Sequence, residues 1–139
     1  MVTIEEIIDL VYKKSCADGI KPDSDIFQDV GLNGDDFHEM IEEYAKKYSV
    51  DMKSYLWYFH ADEEGQSIGG SFSAPPYKRV KRIPVTPLML KEFADKGKWD
   101  IIYPEHTLPK RRYDLIINSI IVYSAIIALI IYFIHKWIA

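Results

Sequence analysis

The sequence predicts an all-α protein in which a small helical bundle is joined to one membrane-spanning helix. An apolar run without charged residues covers 115–134, and apolar residues recur at helical spacing behind capping signals in three earlier segments. We expect four parts along the chain. They are a bundle core (1–64), a Gly/Ser/Pro-rich and basic linker (65–85), an amphipathic helix with a juxtamembrane segment (86–109), and a membrane anchor (110–139).

A first helix is predicted over residues 4–14, because Thr3 and Glu6 have the spacing of a capping box. A long connection follows over 15–34. It carries a short apolar patch that we expect to pin the connection onto the core, formed by Ile26, Phe27 and Val30.

A second helix is predicted over residues 36–48, where Asp36 and Glu39 repeat the capping-box pattern. Five side chains at offsets of 3, 4, 7 and 11 from the first should form its buried face. These are Phe37, Met40, Ile41, Tyr44 and Tyr48.

Shorter elements are predicted downstream. The dense aromatic segment 53–62 is interpreted as a short buried helix, and the Gly/Ser/Pro-rich segment 65–76 as a loop or partly mobile linker. A Thr-Pro cap begins an amphipathic helix over 87–96 that Gly97 ends. Residues 99–103 are then either a short strand or an extended apolar segment near the membrane surface.

The anchor run, 115–134, is long enough as a helix to cross the hydrocarbon of a bilayer. Thirteen of its twenty residues are Ile, Leu, Val or Phe, which together favour insertion by about 4 to 8 kcal/mol. A buried helix of a soluble domain is the alternative, but such helices are usually shorter and keep a polar face. The run therefore predicts a tail anchor.

The flanks of the run predict its orientation. Lys110, Arg111 and Arg112 precede it, whereas Lys136 alone among lysines and arginines follows it, so the N-terminal side should be cytosolic. Charges throughout residues 1–17 leave no room for the apolar core of a signal peptide. We therefore expect a single-pass protein with its N-terminal domain in the cytosol.

Charge is distributed unevenly along the chain. Residues 1–64 hold sixteen Asp and Glu against six Lys and Arg, whereas residues 65–139 hold five against eleven. A strongly acidic first part disfavours nucleic acid as its partner and favours a protein with a basic surface.

The order of elements over about the first 64 residues resembles the acyl carrier protein family. Asp-Val-Gly at 29–31 matches the tract that ends the long loop of carriers, and Asp-Asp-Phe at 35–37 falls where carriers have the Asp-Ser-Leu that opens helix two. In particular the chain resembles an uncharacterised bacterial family of carrier-like proteins. Its members also show a downstream Thr-Pro-Leu-like helix that ends in Gly-x-Trp, as at 97–99.

The resemblance implies a carrier that lacks its prosthetic group. Carriers attach phosphopantetheine to a serine at the start of helix two, but Asp35 and Asp36 occupy that place and no serine lies between Ser24 and Ser49. We therefore expect no cofactor. The resemblance further implies that an acidic helix docks a basic partner enzyme, whereas the alternative is that its carboxylates are merely solvated. The residues concerned are Asp36, Glu39, Glu42 and Glu43.

Basic side chains in the linker and before the anchor are candidate contacts for lipid headgroups. The alternative for the earlier group is an exposed strand or loop that balances the negative charge of residues 1–64. The candidates are Lys78, Arg79, Lys81, Arg82, Lys110, Arg111 and Arg112. One side of the anchor carries small and polar residues that could pack on another transmembrane helix, namely Asn118, Ala125, Ala128 and Tyr132.

Catalytic and metal sites are not predicted. His60 and the acidic residues at 62–64 are too close in sequence to converge on one metal ion. Cys16 and His38 could pair as nucleophile and base, but no orienting third residue is evident, and Cys16 is interpreted as a small core residue.

These observations predict a non-enzymatic binding or adaptor protein at the cytosolic face of a bacterial inner membrane. One alternative is a true carrier or lipid-metabolism accessory modified at another serine, such as Ser67 or Ser71. Another is a small subunit that stabilises a membrane complex through its transmembrane helix.

Overall fold

The protein is all-α, as predicted. The computed structural model describes residues 1–65 and 67–138, and within that part of the chain it contains five α-helices and no strand. Two 3-10 turns lie at Trp57–Phe59 and Pro76–Lys78. The helices are α1 (Ile4–Ser15), α2 (Gly34–Tyr48), α3 (Gly69–Phe72), α4 (Pro87–Lys96) and α5 (Tyr113–Ile138).

The chain forms two compact units. The first unit combines Met1–Glu64 with Val80–His106, and the second combines Gly65–Arg79 with Thr107–Ala139. Each unit is therefore discontinuous in sequence. The first contains α1, α2 and α4, and the second contains α3 and α5.

The capping box at the start of α1 forms as predicted. The Thr3 hydroxyl accepts a hydrogen bond from the Glu6 backbone at 3.2 Å, and the Glu6 carboxylate accepts one from the Thr3 backbone at 2.9 Å. The helix ends at Ser15, and its C-cap residue, Cys16, has a left-handed φ of 53°. Cys16 is exposed there, so its predicted place in the core is wrong.

Helix α2 begins two residues earlier than predicted. Its N-cap is Asn33, which makes no side-chain capping bond, so the capping box expected from Asp36 and Glu39 is wrong. Gly34 begins the helix with φ of 53°, a conformation that favours glycine, and a Cβ atom there would require Glu64 to move. The predicted buried face is present, with Tyr48 half-buried and four residues buried: Phe37, Met40, Ile41 and Tyr44.

The core of the first unit lies where α1 packs against both α2 and α4. Tyr44 spans it, since its side chain is fully buried and its hydroxyl donates to the Leu90 carbonyl at 2.6 Å. The long connection is pinned as predicted, with Ile26 buried, its N–H bonded to the Val85 carbonyl, and Phe27 and Val30 packed on the core.

The segment after α2 consists of turns and irregular backbone rather than an α-helix. The buried helix predicted over 53–62 is wrong, because only the turn Trp57–Phe59 forms and the Leu56 N–H donates to the Tyr103 hydroxyl instead of to a helix carbonyl. Residues 99–103 lie beside it and form neither a helix nor a strand. A single parallel bridge joins Asp51 and Lys98, and Trp99 is 2% exposed in the core.

Helix α5 dominates the second unit. It contains the predicted run 115–134 and, at 26 residues, is about 39 Å long. Its length and composition are sufficient to cross a membrane. Helix α3 packs on its first turns so closely that a Cβ atom on Gly69 would lie 2.0 Å from the Asp114 carbonyl oxygen.

Candidate functional site

An open groove of about 470 Å³ lies beside α2 in the first unit. One side is lined by residues of α2 and the other by residues of the irregular segment that follows it. This groove is named the acidic groove. Its more exposed carboxylates are called the rim, its more buried apolar side chains the floor, and its aromatic side chains the aromatic wall. The lining residues are Asp35, His38, Ile41, Glu42, Ala45, Met52, Tyr55, Trp57 and Glu63.

The aromatic wall is held by ring contacts. His38 meets Trp57 edge to face with ring centroids 5.6 Å apart, which fixes the segment after α2 against that helix. Tyr55 is half-buried, and its buried hydroxyl has no hydrogen-bond partner among the described residues. Burial raises the pKa of Tyr55, so this phenol stays protonated at neutral pH.

The carboxylates of α2 divide into two sets. Glu39 and Glu43 approach Lys14 of α1, with Nζ to carboxylate-oxygen distances of 3.6 and 3.3 Å, and the hydrogen bond to Glu43 raises the pKa of Lys14. Asp35 and Glu42 instead line the acidic groove, and within the described part of the chain neither forms an ion pair. The groove carboxylates therefore lack the compensation that Lys14 gives the other set.

The four residues predicted to dock a partner therefore do not all lie on one surface of the protein. All four are exposed, but of these only Glu42 lines the groove, together with Asp35 from the carrier-like tract. The sequence did not identify Met52, Trp57 and Glu63 as groove residues. The acidic residues that follow the aromatic segment could have indicated Glu63 as a groove residue. They were not used because the aromatic segment was expected to be a buried helix.

A buried histidine supports the groove from behind. His60 is fully buried and stacks on Tyr55 with ring centroids 5.6 Å apart. Its Nδ1 lies 2.9 Å from the Ile83 carbonyl, which can only accept, so this nitrogen carries the proton. Burial lowers the pKa of His60 to about 4, so the ring is neutral at physiological pH.

The Tyr103 hydroxyl connects this histidine to the core. It donates to His60 Nε2 at 2.7 Å and accepts from Trp99 Nε1 at 2.9 Å and from the Leu56 N–H at 3.2 Å. All of its hydrogen-bonding capacity is therefore used. His60 is consequently a structural residue that supports Tyr55 of the groove. It lies inside the fold and does not form a surface cluster with residues 62–64.

The basic segment predicted to contact lipid is divided by the fold. Arg82 belongs to the first unit and forms a two-pronged ion pair with the buried carboxylate of Asp25. Burial alone would raise the pKa of Asp25, but hydrogen bonds from Arg82 and from the Phe27 backbone outweigh it and leave that pKa below its usual range. Arg82 is therefore committed to the fold, whereas Lys78 and Lys81 are exposed.

In the second unit the structure brings Arg79 to the residues that precede α5. Arg79 lines a small cavity of about 110 Å³ together with Lys110, Arg111 and Arg112. These residues are about thirty apart in sequence and were predicted as two separate basic groups. The fold combines them.

The predicted packing side of α5 is partly used within the chain. The Asn118 side chain accepts from the Gly69 N–H at 2.7 Å and donates to the Ser67 hydroxyl at 2.9 Å. Ala125, Ala128 and Tyr132 are exposed. Ser67 also accepts from the Gly70 N–H at 2.9 Å, whereas Ser71 is exposed.

The described part of the chain is thus an all-α protein with an acidic groove and one helix that is long and apolar enough to span a membrane. Residues 2–103 match the family model described as protein of unknown function DUF1493. The chain belongs to this family. No curated protein and no solved structure gives a significant match.

Proposed function

We propose that this protein is a non-enzymatic, membrane-anchored binding protein that docks a basic segment of a partner protein in the acidic groove. The observation that carries the proposal is the pairing of uncompensated carboxylates, Asp35 and Glu42, with an apolar and aromatic floor. A cationic amphipathic segment complements both features. Its Lys or Arg heads would meet the rim and its apolar side chains would cover the floor.

The aromatic wall supports an arginine-rich or lysine-rich partner in particular. Trp57 and Tyr55 both line the groove, and a cation over an aromatic face is stabilised by the ring quadrupole. Long basic side chains also bring apolar stems that pack against Met52 and Ile41. A purely acidic or neutral partner would leave the rim carboxylates desolvated without compensation.

Anchorage follows from α5. The helix meets the length and composition needed to span a bilayer, and we propose that it holds the first unit at the cytosolic face of a bacterial inner membrane. Lys110, Arg111 and Arg112 before the helix support this orientation by the positive-inside rule. The partner would then be recruited to the membrane.

The docking test uses the full chain in non-ionic detergent and a fluorescent helical peptide of Leu and Lys, with a Leu and Glu peptide of the same length as its counterpart. We expect the Leu and Lys peptide to bind and the binding to weaken with salt. Asp35→Asn with Glu42→Gln should lower its affinity about tenfold, since two exposed ion pairs contribute up to about 1 kcal/mol each and about 1.4 kcal/mol is a factor of ten.

Two matched variants make the docking test selective. Glu92→Gln removes an exposed carboxylate of α4 outside the groove and should leave binding unchanged. Glu39→Gln with Glu43→Gln removes the set beside Lys14. If this second pair abolishes binding while the groove pair does not, docking occurs on the other side of α2 and the groove assignment is wrong.

The carrier resemblance supports a related part of the proposal, namely that the acidic helix is a recognition element without a prosthetic group. Asp35 and Asp36 lie exposed in the first turn of α2, where carriers have their serine. Incubation with a phosphopantetheinyl transferase and coenzyme A should therefore leave the mass unchanged. A single adduct would overturn this, and its location at Ser67 or Ser71 would identify a true carrier instead.

A further inference from the structure

The cavity before α5 has the composition of an anion site. Four cationic side chains and one carboxylate line it, which leaves an excess of three positive charges: Arg79, Lys110, Arg111 and Arg112 against Asp114. Its volume of about 110 Å³ has room for a phosphate group and little more. The rest of its wall is uncharged and comes from the turn around Ser73 and from Leu108 and Pro109.

Two of the cations are held in place by the unit itself. Arg79 donates from Nε to the Ala74 carbonyl at 2.6 Å and from Nη2 to the Ser73 hydroxyl at 3.4 Å. Arg112 donates from Nη2 and Nε to the carboxylate of Asp114, which is only 2% exposed. Preorganised guanidinium groups lose less entropy when they bind a ligand.

The other two cations remain exposed. Neither Lys110 nor Arg111 forms an ion pair with any described residue. Only Asp114 offers a carboxylate in the cavity wall, and Arg112 already contacts it. The positive charge of this cavity is therefore not neutralised by the wall that encloses it.

The residues around the cavity favour a lipid headgroup over a free anion as its ligand. Tyr113, beside Arg112, begins the helix that is apolar enough to span a membrane. In the same unit Ile68 is 59% and Phe72 75% exposed, and they flank and end the short helix that packs on the first turns of α5. Exposed apolar side chains four residues apart, next to the start of a membrane helix, are suited to the acyl-chain boundary of a bilayer.

We propose that the cavity formed by Arg79 and the segment 110–112 binds the phosphate of an anionic phospholipid, while Ile68 and Phe72 contact its acyl region. The guanidinium groups would donate to the phosphate oxygens, and Lys110 and Arg111 would supply charge at the headgroup level. A zwitterionic lipid carries a compensating ammonium and satisfies this excess of cations less well. The proposal rests on the membrane anchorage proposed above but does not require the acidic groove.

Native mass spectrometry of the full chain, released from micelles that contain phosphatidylglycerol or phosphatidylcholine, tests the site. We expect phosphatidylglycerol to bind at least about fivefold more tightly, as one favourable charge contact predicts. Arg79→Gln with Arg111→Gln should reduce its binding to the level of phosphatidylcholine. Lys81→Gln removes an exposed cation outside the cavity and should have no effect.

A single substitution guards against misfolding of the double variant. The Arg111 side chain is exposed, so Arg111→Gln should keep the helical circular-dichroism spectrum and still lower phosphatidylglycerol binding about fivefold. Because free phosphate would enter the same cavity, sodium phosphate should displace the lipid only at concentrations far above that of phosphatidylglycerol. Phosphatidylglycerol that binds no more tightly than inorganic phosphate would show a free-phosphate site and overturn the lipid assignment.

Three results would reject the proposal outright. They are equal binding of the two lipids, unchanged binding in the Arg79 and Arg111 variants, and an equal loss in Lys81→Gln, which would indicate a general charge effect. Carbonate extraction of membranes reports anchorage separately. Loss of lipid preference in a protein that stays in the membrane therefore refutes the site without refuting the anchor.

Discussion

At the residue scale, the hydroxyls of two half-buried tyrosines provide a matched comparison. The Tyr103 hydroxyl makes three hydrogen bonds, whereas that of Tyr55 has no partner among the described residues. The same chemical group therefore has opposite consequences in the two positions, because a satisfied hydroxyl stabilises a fold and a buried unsatisfied one costs free energy.

We predict that Tyr103→Phe lowers the free energy of unfolding by about 1 to 3 kcal/mol, since it leaves the Trp99 and Leu56 donors unpaired. Tyr55→Phe should be neutral or stabilising. Urea unfolding of the full chain in detergent, followed by tryptophan fluorescence, measures both. Equal destabilisation by the two substitutions would contradict the assigned hydrogen bonds.

His60 predicts a dependence of stability on pH. Its pKa is about 4 in the folded protein and about 6.5 unfolded. Above pH 6.5 both states are neutral and the full stability is present. Between pH 6.5 and 4 the unfolded state binds the proton first, so stability falls as pH falls, by roughly 3 kcal/mol in all. The free energy of unfolding should therefore be lower at pH 4.5 than at pH 7. In His60→Gln this difference between the two pH values should be smaller.

At the scale of elements, the contact between α3 and α5 depends on one glycine. A Cβ atom on Gly69 would lie 2.0 Å from a backbone oxygen of α5, whereas one on Gly70 would meet the Ser67 side chain at 3.3 Å. Backbone cannot move aside as a side chain can. The sequence of α3 is therefore constrained at its first glycine much more than at its second.

Gly69→Ala should displace α3 from α5 and break the hydrogen bond from the Gly69 N–H to Asn118. Gly70→Ala should be tolerated at a cost below about 1 kcal/mol. Hydrogen exchange of residues 69–73 in the full chain reports the difference as lost protection in the first variant alone. Unchanged protection in Gly69→Ala would mean that the two helices are not in contact.

The buried and exposed faces of α2 should respond differently to substitution. Glu39→Gln with Glu43→Gln should change stability by no more than about 1 kcal/mol, because Lys14 contacts both carboxylates in an exposed setting. Phe37→Ala, in the buried face, should cost about 3 kcal/mol or more. Thermal unfolding compares the two. A large effect of the glutamate pair would assign those residues to the scaffold.

At the scale of the whole molecule, the proposed topology places the N-terminal side of α5 in the cytosol. The basic residues before the helix outnumber those after it, and this imbalance resists their translocation. A reporter fused at Met1 should indicate the cytosol and one fused after Ala139 the opposite side. Digestion of the N-terminal part by protease added outside intact cells would contradict this orientation.

Local patterns in the sequence were sufficient for much of the helical architecture. The Thr3 capping box, the apolar spacing in α2, the Thr-Pro start of α4 and the apolar run in α5 each depend on neighbours within one or two turns. The all-α class is confirmed for this reason. The start of α2 was misplaced because a glycine with positive φ, rather than a capping side chain, begins it.

The candidate sites were only partly predictable, since they join residues distant in sequence. The charge of α2 was evident, but its division into a groove set and a set beside Lys14 required α1 and the segment after α2 to be in place. Likewise the sequence contained two basic groups, and the tertiary structure assigned Arg82 to Asp25 and Arg79 to the cavity before α5. Backbone hydrogen bonding and side-chain periodicity act locally, whereas a pocket or a buried ion pair exists only after distant segments have packed.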